Sequence, residues 1–121
     1  MSNDRLIRAF FEANRRMMSE SKDITVATTA TFLGAAIWGH HETRAGEPLT
    51  LEELAVKVGM TPTTVSQHLR YLSHGYRSGR PGLDLVLTSE NPDNRRRKIF
   101  TLTPKGRGLT ANLGLILRKA T

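Results

Sequence analysis

The sequence contains no cysteine among its 121 residues, and this absence excludes a disulfide framework and a cysteine-based redox switch. It contains no apolar run long enough to cross a membrane. Its first residues include Asp4, Arg5 and Arg8, which interrupt the apolar core that a signal peptide requires. We therefore expect a cytoplasmic protein that lies in a reducing compartment and has no membrane partner.

Signatures of catalysis are also missing. The sequence has neither a phosphate-cradling P-loop nor a dinucleotide fingerprint. Ser66 and His68 are two residues apart on a predicted helix, so they face apart and do not form a nucleophile–base pair. His40, His41 and Glu42 adjoin at a helix end, where the two histidines stabilise a C-terminus; a zinc-sensing site is the alternative. The sequence thus predicts a protein that is not an enzyme and that uses no cofactor, no catalytic residue and no metal.

The positive charge is concentrated in one part of the chain. The formal net charge is +7, yet residues 1–59 carry seven basic and eight acidic side chains. Residues 60–110 carry nine basic and three acidic side chains, a balance of +6. Such a local excess of cations is the electrostatic footprint of a nucleic-acid-binding protein.

The segment between residues 50 and 72 has the pattern of a helix-turn-helix. Thr50 and Glu53 form a capping box at the start of the first helix, and Gly59 is suited to the left-handed residue that ends it. Thr61 caps the second helix and Pro62 fills its first position. Apolar residues at helical spacing give each helix one inward face, formed by Leu51, Leu54, Ala55 and Val58 in the first and by Val65, Leu69 and Leu72 in the second.

The opposite face of the second helix carries short hydrogen-bonding side chains and a cation. Groups of this kind suit base edges and phosphates, although an ordinary solvated helix face looks similar. The residues that we expect to contact DNA from this helix are Thr61, Thr63, Thr64, Ser66, Gln67 and Arg70.

A basic β-hairpin follows the second helix. Residues 83–88 and 99–103 are predicted strands, and residues 89–94 between them form a turn-prone cluster. Four consecutive cations lie at the tip or on the rising arm of this hairpin: Arg95, Arg96, Arg97 and Lys98. A solubilising loop is the alternative, but the position directly after a helix-turn-helix favours DNA contact.

The sequence from about residue 24 to residue 109 resembles the MarR-type winged helix-turn-helix regulators. The most specific part is residues 94–106, where Arg96 matches the family's wing arginine, Leu102 and Thr103 its Leu-Thr pair, and Gly106 its glycine. Asn94 stands where the family has an aspartate that holds the wing arginine. The glycine-rich link over residues 76–82 is longer than usual in the family, and the C-terminal helical region is shorter.

The resemblance implies one domain over residues 1–121, mostly α-helical with a small β-hairpin wing. Residues 50–103 form the DNA-binding core and wing, and residues 1–22 and 104–121 form flanking dimerisation helices. The resemblance also implies a bacterial, archaeal or phage-encoded protein that forms a homodimer, with an unidentified small-molecule effector as a possible partner in a pocket between the dimer helices and the winged domain.

The terminal helices carry apolar stripes that a small domain cannot easily bury by itself. The residues that we expect in a dimer interface are Leu6, Phe10, Phe11, Leu113 and Leu117. The alternative is that each terminal helix packs only on its own subunit. Between them, Asp23 is predicted to cap another helix, whose inward residues are Phe32, Leu33, Ala36 and Ile37.

These patterns together predict a sequence-specific regulator of transcription that binds double-stranded DNA and represses by covering a promoter. Two alternatives use the same fold. One is an architectural or replication-related DNA-binding protein, and the other is a protein-interaction module that has lost DNA binding.

Overall fold

Five helices and two small antiparallel hairpins make up the computed structural model, which describes residues 3–39, 49–77, 80–91 and 94–120. Side chains are described for all of these except residues 76, 77, 80, 90, 91 and 94–97. The elements are α1 (Asp4–Met18), α2 (Val26–Trp38), α3 (Leu51–Val58), α4 (Pro62–Leu72), β1 (Gly75–Arg77), β2 (Arg80–Pro81), β3 (Val86–Asn91), β4 (Asn94–Leu102) and α5 (Pro104–Arg118). The predicted fold class, mostly helical with a hairpin wing, is confirmed.

The core joins the helix-turn-helix to the wing. Large apolar side chains from six elements and the residue before β3 meet there and are almost fully buried: Phe32, Leu54, Leu69, Leu72, Leu85, Val86, Phe100 and Leu109. Burial of each such side chain contributes about 1.5–3 kcal/mol. The core therefore fixes α4 relative to the β3–β4 hairpin.

Local hydrogen bonds start and stop the two helices of the helix-turn-helix as the sequence predicted. The Thr50 amide donates to Glu53 Oε1 at 3.0 Å and the Glu53 amide donates to Thr50 Oγ1 at 3.3 Å, which completes the capping box. Gly59 ends α3 with a φ of 74°, a left-handed conformation that costs glycine little. Thr61 Oγ1 accepts from the Thr64 amide at 3.2 Å and caps α4.

The predicted start of α2 is wrong. Thr25, not Asp23, is the N-cap, and its hydroxyl accepts from the Thr28 amide at 3.0 Å. Asp23 lies instead in the turn after α1, where the Ile24 amide donates to the Ser21 carbonyl oxygen. Because of this turn, the N-cap of α2 lies two residues later than the sequence predicted.

The predicted inward face of α2 is correct only in part. Phe32 is fully buried and Ala36 is half-buried, but Leu33 and Ile37 remain 40% and 57% exposed. The helix turns a different stripe, containing Thr28, Thr31, Phe32 and Ala35, toward the core. This rotation leaves an apolar stripe of α2 on the outside of the protomer.

The wing hairpin also differs from the prediction. Strands β3 and β4 pair from Val86↔Leu102 to Asn91↔Asn94, so only residues 92 and 93 separate them. The predicted turn over residues 89–94 was too long, because backbone pairing continues through polar residues beyond the apolar core. Arg95 to Lys98 belong to β4, where Lys98 pairs with Glu90 and residues 95–97 form a bulge without partners in β3.

The residues predicted to begin the first wing strand form a bend instead. Asp84 has a φ of 57°, a left-handed conformation that is uncommon for a side-chain-bearing residue. The Leu85 amide donates to the Leu72 carbonyl oxygen at 2.8 Å, which ties this bend to the end of α4. Leu83, Asp84 and Leu85 therefore anchor the wing to the end of α4 before the strand begins.

The glycine-rich link contains a small hairpin that the sequence did not predict. Strands β1 and β2 pair antiparallel, with Gly75 opposite Pro81. Gly82 then donates its amide to the His74 carbonyl oxygen at 2.9 Å. A Cβ atom at residue 82 would lie 1.9 Å from the Ser73 carbonyl oxygen, so only glycine fits this return of the chain.

The terminal helices α1 and α5 pack on each other and leave a shared apolar surface exposed. Arg16 Nε donates to Asn112 Oδ1 at 2.9 Å across their contact, and Ala9, Met17 and Leu113 are buried there. The exposed apolar side chains of the two helices are Leu6, Ile7, Phe10, Phe11, Met18, Leu115 and Leu117. No helix in the described ranges has the length and apolar character to cross a membrane.

Candidate nucleic-acid interface

The outward face of α4 is hydrophilic. Val65, Leu69 and Leu72 are buried beneath it, which confirms the predicted inward face. On the other side, Thr63, Gln67 and Arg70 are exposed, and Thr64 and Ser66 are half-buried. The helix therefore presents hydroxyl, amide and guanidinium groups in the order that its sequence predicted.

Two of the predicted DNA contacts also have a structural role. Thr61 Oγ1 caps α4 and donates to Thr64 Oγ1 at 2.9 Å. These bonds organise the first turn of the helix. The contact of Thr61 and Thr64 with DNA stays a prediction, and Thr63, Ser66 and Gln67 are the neighbouring groups without such a capping duty.

A groove of about 440 Å³ runs beside α4 and connects it to the start of α3 and to β4. It is lined by Leu51, Glu52, Pro62, Thr63, Ser66, Gln67, Arg70 and Lys98. A backbone bridge between Thr50 and Ile99 holds the start of α3 against β4. The structure thus brings five predicted DNA-contacting residues into one concave surface, which we call the α4 groove.

Sequence reasoning missed Glu52 in the α4 groove. Its position in the first turn of α3 signals helix capping chemistry, but nothing local indicates that its side chain faces α4. Lys98 is exposed and lines the same groove. The structure does not describe the side chains of Arg95, Arg96 and Arg97, so their contacts with DNA stay predictions. The effect of Asn94 on Arg96 stays a prediction for the same reason.

A hydrogen bond connects α4 to α2 behind the groove. Thr31 Oγ1 lies 2.8 Å from His68 Nδ1 and 3.1 Å from the Ala27 carbonyl oxygen. A hydroxyl has one proton and can also accept, so Thr31 can donate to the Ala27 carbonyl oxygen while it accepts from a protonated Nδ1 of His68. Burial lowers the pKa of His68, because the charged ring would lose solvation. Ser66 lines the α4 groove, whereas His68 faces α2. The two side chains therefore lie on different surfaces of α4, as their spacing predicted.

A polar junction at the end of α1 reaches α4 and α5. Tyr71 Oη donates to Ser21 Oγ at 2.5 Å. Glu20 Oε2 accepts from Arg16 Nη1 at 3.0 Å, and its Oε1 lies 3.3 Å from Lys105 Nζ as an ion pair without an aligned hydrogen bond. Burial raises the pKa of Glu20, but the two cations outweigh this effect and lower it overall. Sequence reasoning missed this junction, because Tyr71 and Lys105 lie far along the chain from Ser21 and Glu20.

A second cavity, of about 340 Å³ and almost wholly apolar, lies between α1, α2 and α5. Phe10, Met17, Leu33 and Leu117 are among its lining residues, and Leu113 forms part of its floor. Leu113 is only 6% exposed and packs in the protomer core, so it contributes little to the exposed apolar surface of the terminal helices. We call this space the apolar cavity.

In the described part of the chain, no group of three histidine, cysteine, aspartate or glutamate side chains is arranged to hold a metal ion. The predicted helix-capping role of His40 and His41, with Glu42 beside them, falls outside the described residues.

Comparison with solved structures identifies the fold. No family model matches the sequence, and no curated protein matches it either. The structure is similar to Rv1404 of Mycobacterium tuberculosis, with 21% identity, a TM-score of 0.62, and coverage of 98% of this chain and 75% of that one. BpsR of Bordetella bronchiseptica gives 20% identity, a TM-score of 0.56, and coverage of 95% and 76%.

A MarR-family transcription regulator gives 22% identity, a TM-score of 0.58, and coverage of 90% of this chain but 59% of that one. The chain therefore spans between 59% and 76% of the length of these three proteins. The class of fold is the winged helix-turn-helix of the MarR-type regulators, and the predicted resemblance is confirmed at the level of fold.

Proposed function

We propose that this protein is a sequence-specific regulator of transcription that binds double-stranded DNA. The observation that carries the proposal is the α4 groove, in which Thr63, Ser66, Gln67 and Arg70 of the recognition helix adjoin Lys98 of the wing. A helix of this size enters the major groove, where base edges carry a distinct donor and acceptor code. The ridge of the phosphate backbone then fits between α4 and the wing.

The distribution of charge supports the same surface. The segment that contains α4 and the wing carries the +6 balance, and its cations release counterions when they neutralise phosphates. One of the structural neighbours is a MarR-family transcription regulator, and the DNA binding of BpsR is regulated by 6-hydroxynicotinic acid. None of these observations suggests an enzyme.

Repression by a homodimer is the mechanism that we propose. The exposed apolar surface of α1 and α5 gives a second copy a place to pack, and two-fold symmetry would present two α4 helices to one side of a duplex. A dimer on a promoter would exclude polymerase from the same DNA.

Selection of bound duplexes from a random DNA pool tests this function. We expect enrichment of a palindromic motif with half-sites about 10 base pairs apart, or near a multiple of that distance. Binding without enrichment would favour an architectural DNA-binding protein, because phosphate contacts carry no sequence information. Absence of binding at low salt would contradict DNA binding altogether and favour a protein-interaction module.

We further propose that the apolar cavity binds an effector of low polarity. One face of α2 lines the cavity through Leu33, while Thr31 on the same helix contacts His68 of α4. A molecule that displaced α2 would therefore shift the position of α4, because the bond between Thr31 and His68 connects the two helices. Anilinonaphthalene sulfonate is a suitable probe, since its fluorescence reports apolar sites. Leu33→Trp should fill the cavity and reduce that fluorescence without lowering the midpoint of thermal unfolding; unchanged fluorescence would place the binding site elsewhere.

A further inference from the structure

Glu52 is the acidic side chain of the α4 groove, whose other polar side chains carry hydroxyl, amide and cationic groups. It lies in the first turn of α3 and lines the same surface as Gln67, Arg70 and Lys98. Its side chain is exposed. Among the side chains that the structure describes, none forms an ion pair or a hydrogen bond with that of Glu52.

The neighbouring acid has a different task. Glu53 completes the capping box with Thr50 and is held by that bond. Glu52 is not needed for the box, although any acid in the first turn of a helix stabilises it through the macrodipole. That general effect depends on the position along α3 and not on the groove, so the two roles can be separated by experiment.

A carboxylate on a DNA-binding surface is repelled by phosphates and loses solvent when the duplex binds. Both effects weaken binding to every sequence, unless the carboxylate meets a hydrogen-bond donor on the DNA. In the major groove such a donor is the exocyclic amino group of cytosine, which glutamate and aspartate accept from. A carboxylate beside a recognition helix therefore distinguishes sequences by penalising those that lack the donor.

We infer that Glu52 determines DNA sequence specificity. In the preferred site its carboxylate accepts from a cytosine amino group, and on other sequences its charge opposes the phosphates. The inference rests on the proposed function, because it requires that the α4 groove receives DNA.

The test compares Glu52→Gln with Glu12→Gln. Both variants remove one negative charge with little change in size, but Glu12 lies on α1 in an exposed ion pair with Lys119. Affinities are measured by fluorescence anisotropy on the selected duplex and on a random duplex, at low and moderate salt. Glu52→Gln should bind random DNA roughly three- to tenfold more tightly at low salt, because one repulsive contact is lost. Its gain on the selected duplex should be smaller, so the ratio of the two affinities should fall at least about threefold.

A base substitution links the effect to cytosine. Replacing the contacted C·G pair should weaken binding by the parent roughly tenfold, and it should matter much less to Glu52→Gln. Glu52→Asp retains the charge on a shorter side chain, so it should lose the cytosine preference and keep the weak binding to random DNA. Circular dichroism at the binding temperature shows whether each variant is folded, and the base substitution tests the parent even if a variant is not.

Equal gains on both duplexes in Glu52→Gln and Glu12→Gln would overturn the inference, since they would reflect net charge alone. Insensitivity of the parent to every C·G pair of its site would overturn it as well. A different result, in which the parent enriches no sequence from the pool, would refute the proposed function itself. These results separate a failure of the inference about Glu52 from a failure of the proposed function.

Discussion

Single residues of α4 divide between its two faces, and each face suggests a separate measurement. Gln67 is exposed in the α4 groove, whereas His68, the next residue, contacts Thr31 behind it. The outward residue should affect which DNA is bound. The inward residue should affect how stability responds to pH.

Gln67 should read a base directly. A glutamine side chain can donate to and accept from adenine at the same time, and such a pair discriminates by about 1–3 kcal/mol. Gln67→Ala should therefore lose about that much affinity for the selected duplex and much less for random DNA. Anisotropy titrations on both duplexes measure the difference, and equal losses would show that Gln67 does not read sequence.

His68 should make the fold sensitive to mild acid. Its folded pKa is lower than the ordinary value of 6.5, so the unfolded chain takes up the proton first as the pH falls. The stability contributed by the neutral ring is complete above 6.5 and is lost as the pH falls toward the folded pKa. His68→Asn cannot take up a proton, so its thermal midpoint should fall less than that of the parent between about pH 7.5 and 5.5.

His74→Asn is the matched control for this experiment, because His74 is an exposed histidine just beyond α4. That variant should keep the pH response of the parent. A parent whose midpoint is constant over the range, or a His68→Asn variant with the full decline, would contradict the role of His68.

At the scale of elements, the wing is the part whose proposed contact with DNA depends most on charge. Strand β4 includes Arg95, Arg96 and Arg97, and the side chain of its Lys98 lines the α4 groove. The register of the hairpin shifts between the pairs Glu90↔Lys98 and Asn91↔Asn94, so Arg95, Arg96 and Arg97 form a bulge that has no partner residues in β3.

Removal of a wing cation should change the salt dependence of binding. Each lost phosphate contact lowers the slope of log affinity against log salt by about 0.9. We expect this change for Arg95→Ala, Arg96→Ala, Arg97→Ala and Lys98→Ala. Lys119→Ala removes a cation from the end of α5 and should leave the slope unaltered. Parental slopes in all the wing variants would mean that the basic segment is merely solvated.

At the scale of the whole molecule, the exposed apolar surface of the terminal helices is the feature from which we propose a dimer. Leu6 and Phe11 are 56% and 59% exposed and do not line the apolar cavity, whereas Leu113 already packs inside the protomer. A charge at Leu113 would damage the core and would not report on assembly. The outer residues Leu6 and Phe11 are therefore the better test of the proposed dimer.

The double variant Leu6→Glu with Phe11→Glu should be a folded monomer that binds one half-site weakly. Burial of each side chain contributes about 1.5–3 kcal/mol to the dimer, and carboxylates in their place would have to be desolvated. Analytical ultracentrifugation gives the oligomeric state. Val56→Glu, which adds a charge at an exposed apolar residue of α3, should sediment like the parent. The parent could instead be monomeric at micromolar concentration and still bind a palindrome tightly. That result would mean that two copies pair only when they are bound to DNA.

The sequence by itself determined the features that depend on neighbours within one helical turn. Thr50 with Glu53, the left-handed Gly59, and Thr61 followed by Pro62 fix the helix-turn-helix through bonds that span three or four residues. Apolar spacing likewise predicted which face of α4 is buried. These interactions are local, so they can be read from the chain before it folds.

Only the tertiary structure decided the rest. Residues 50 and 99 had to meet before Glu52 and Lys98 shared one groove with α4, and Thr31 had to reach across to His68. The stripe of α2 that faces inward, and the lengths of β3 and β4, depend on what packs against each element. A pattern of apolar residues shows that a face is buried but not what covers it, because packing joins residues that are distant along the chain.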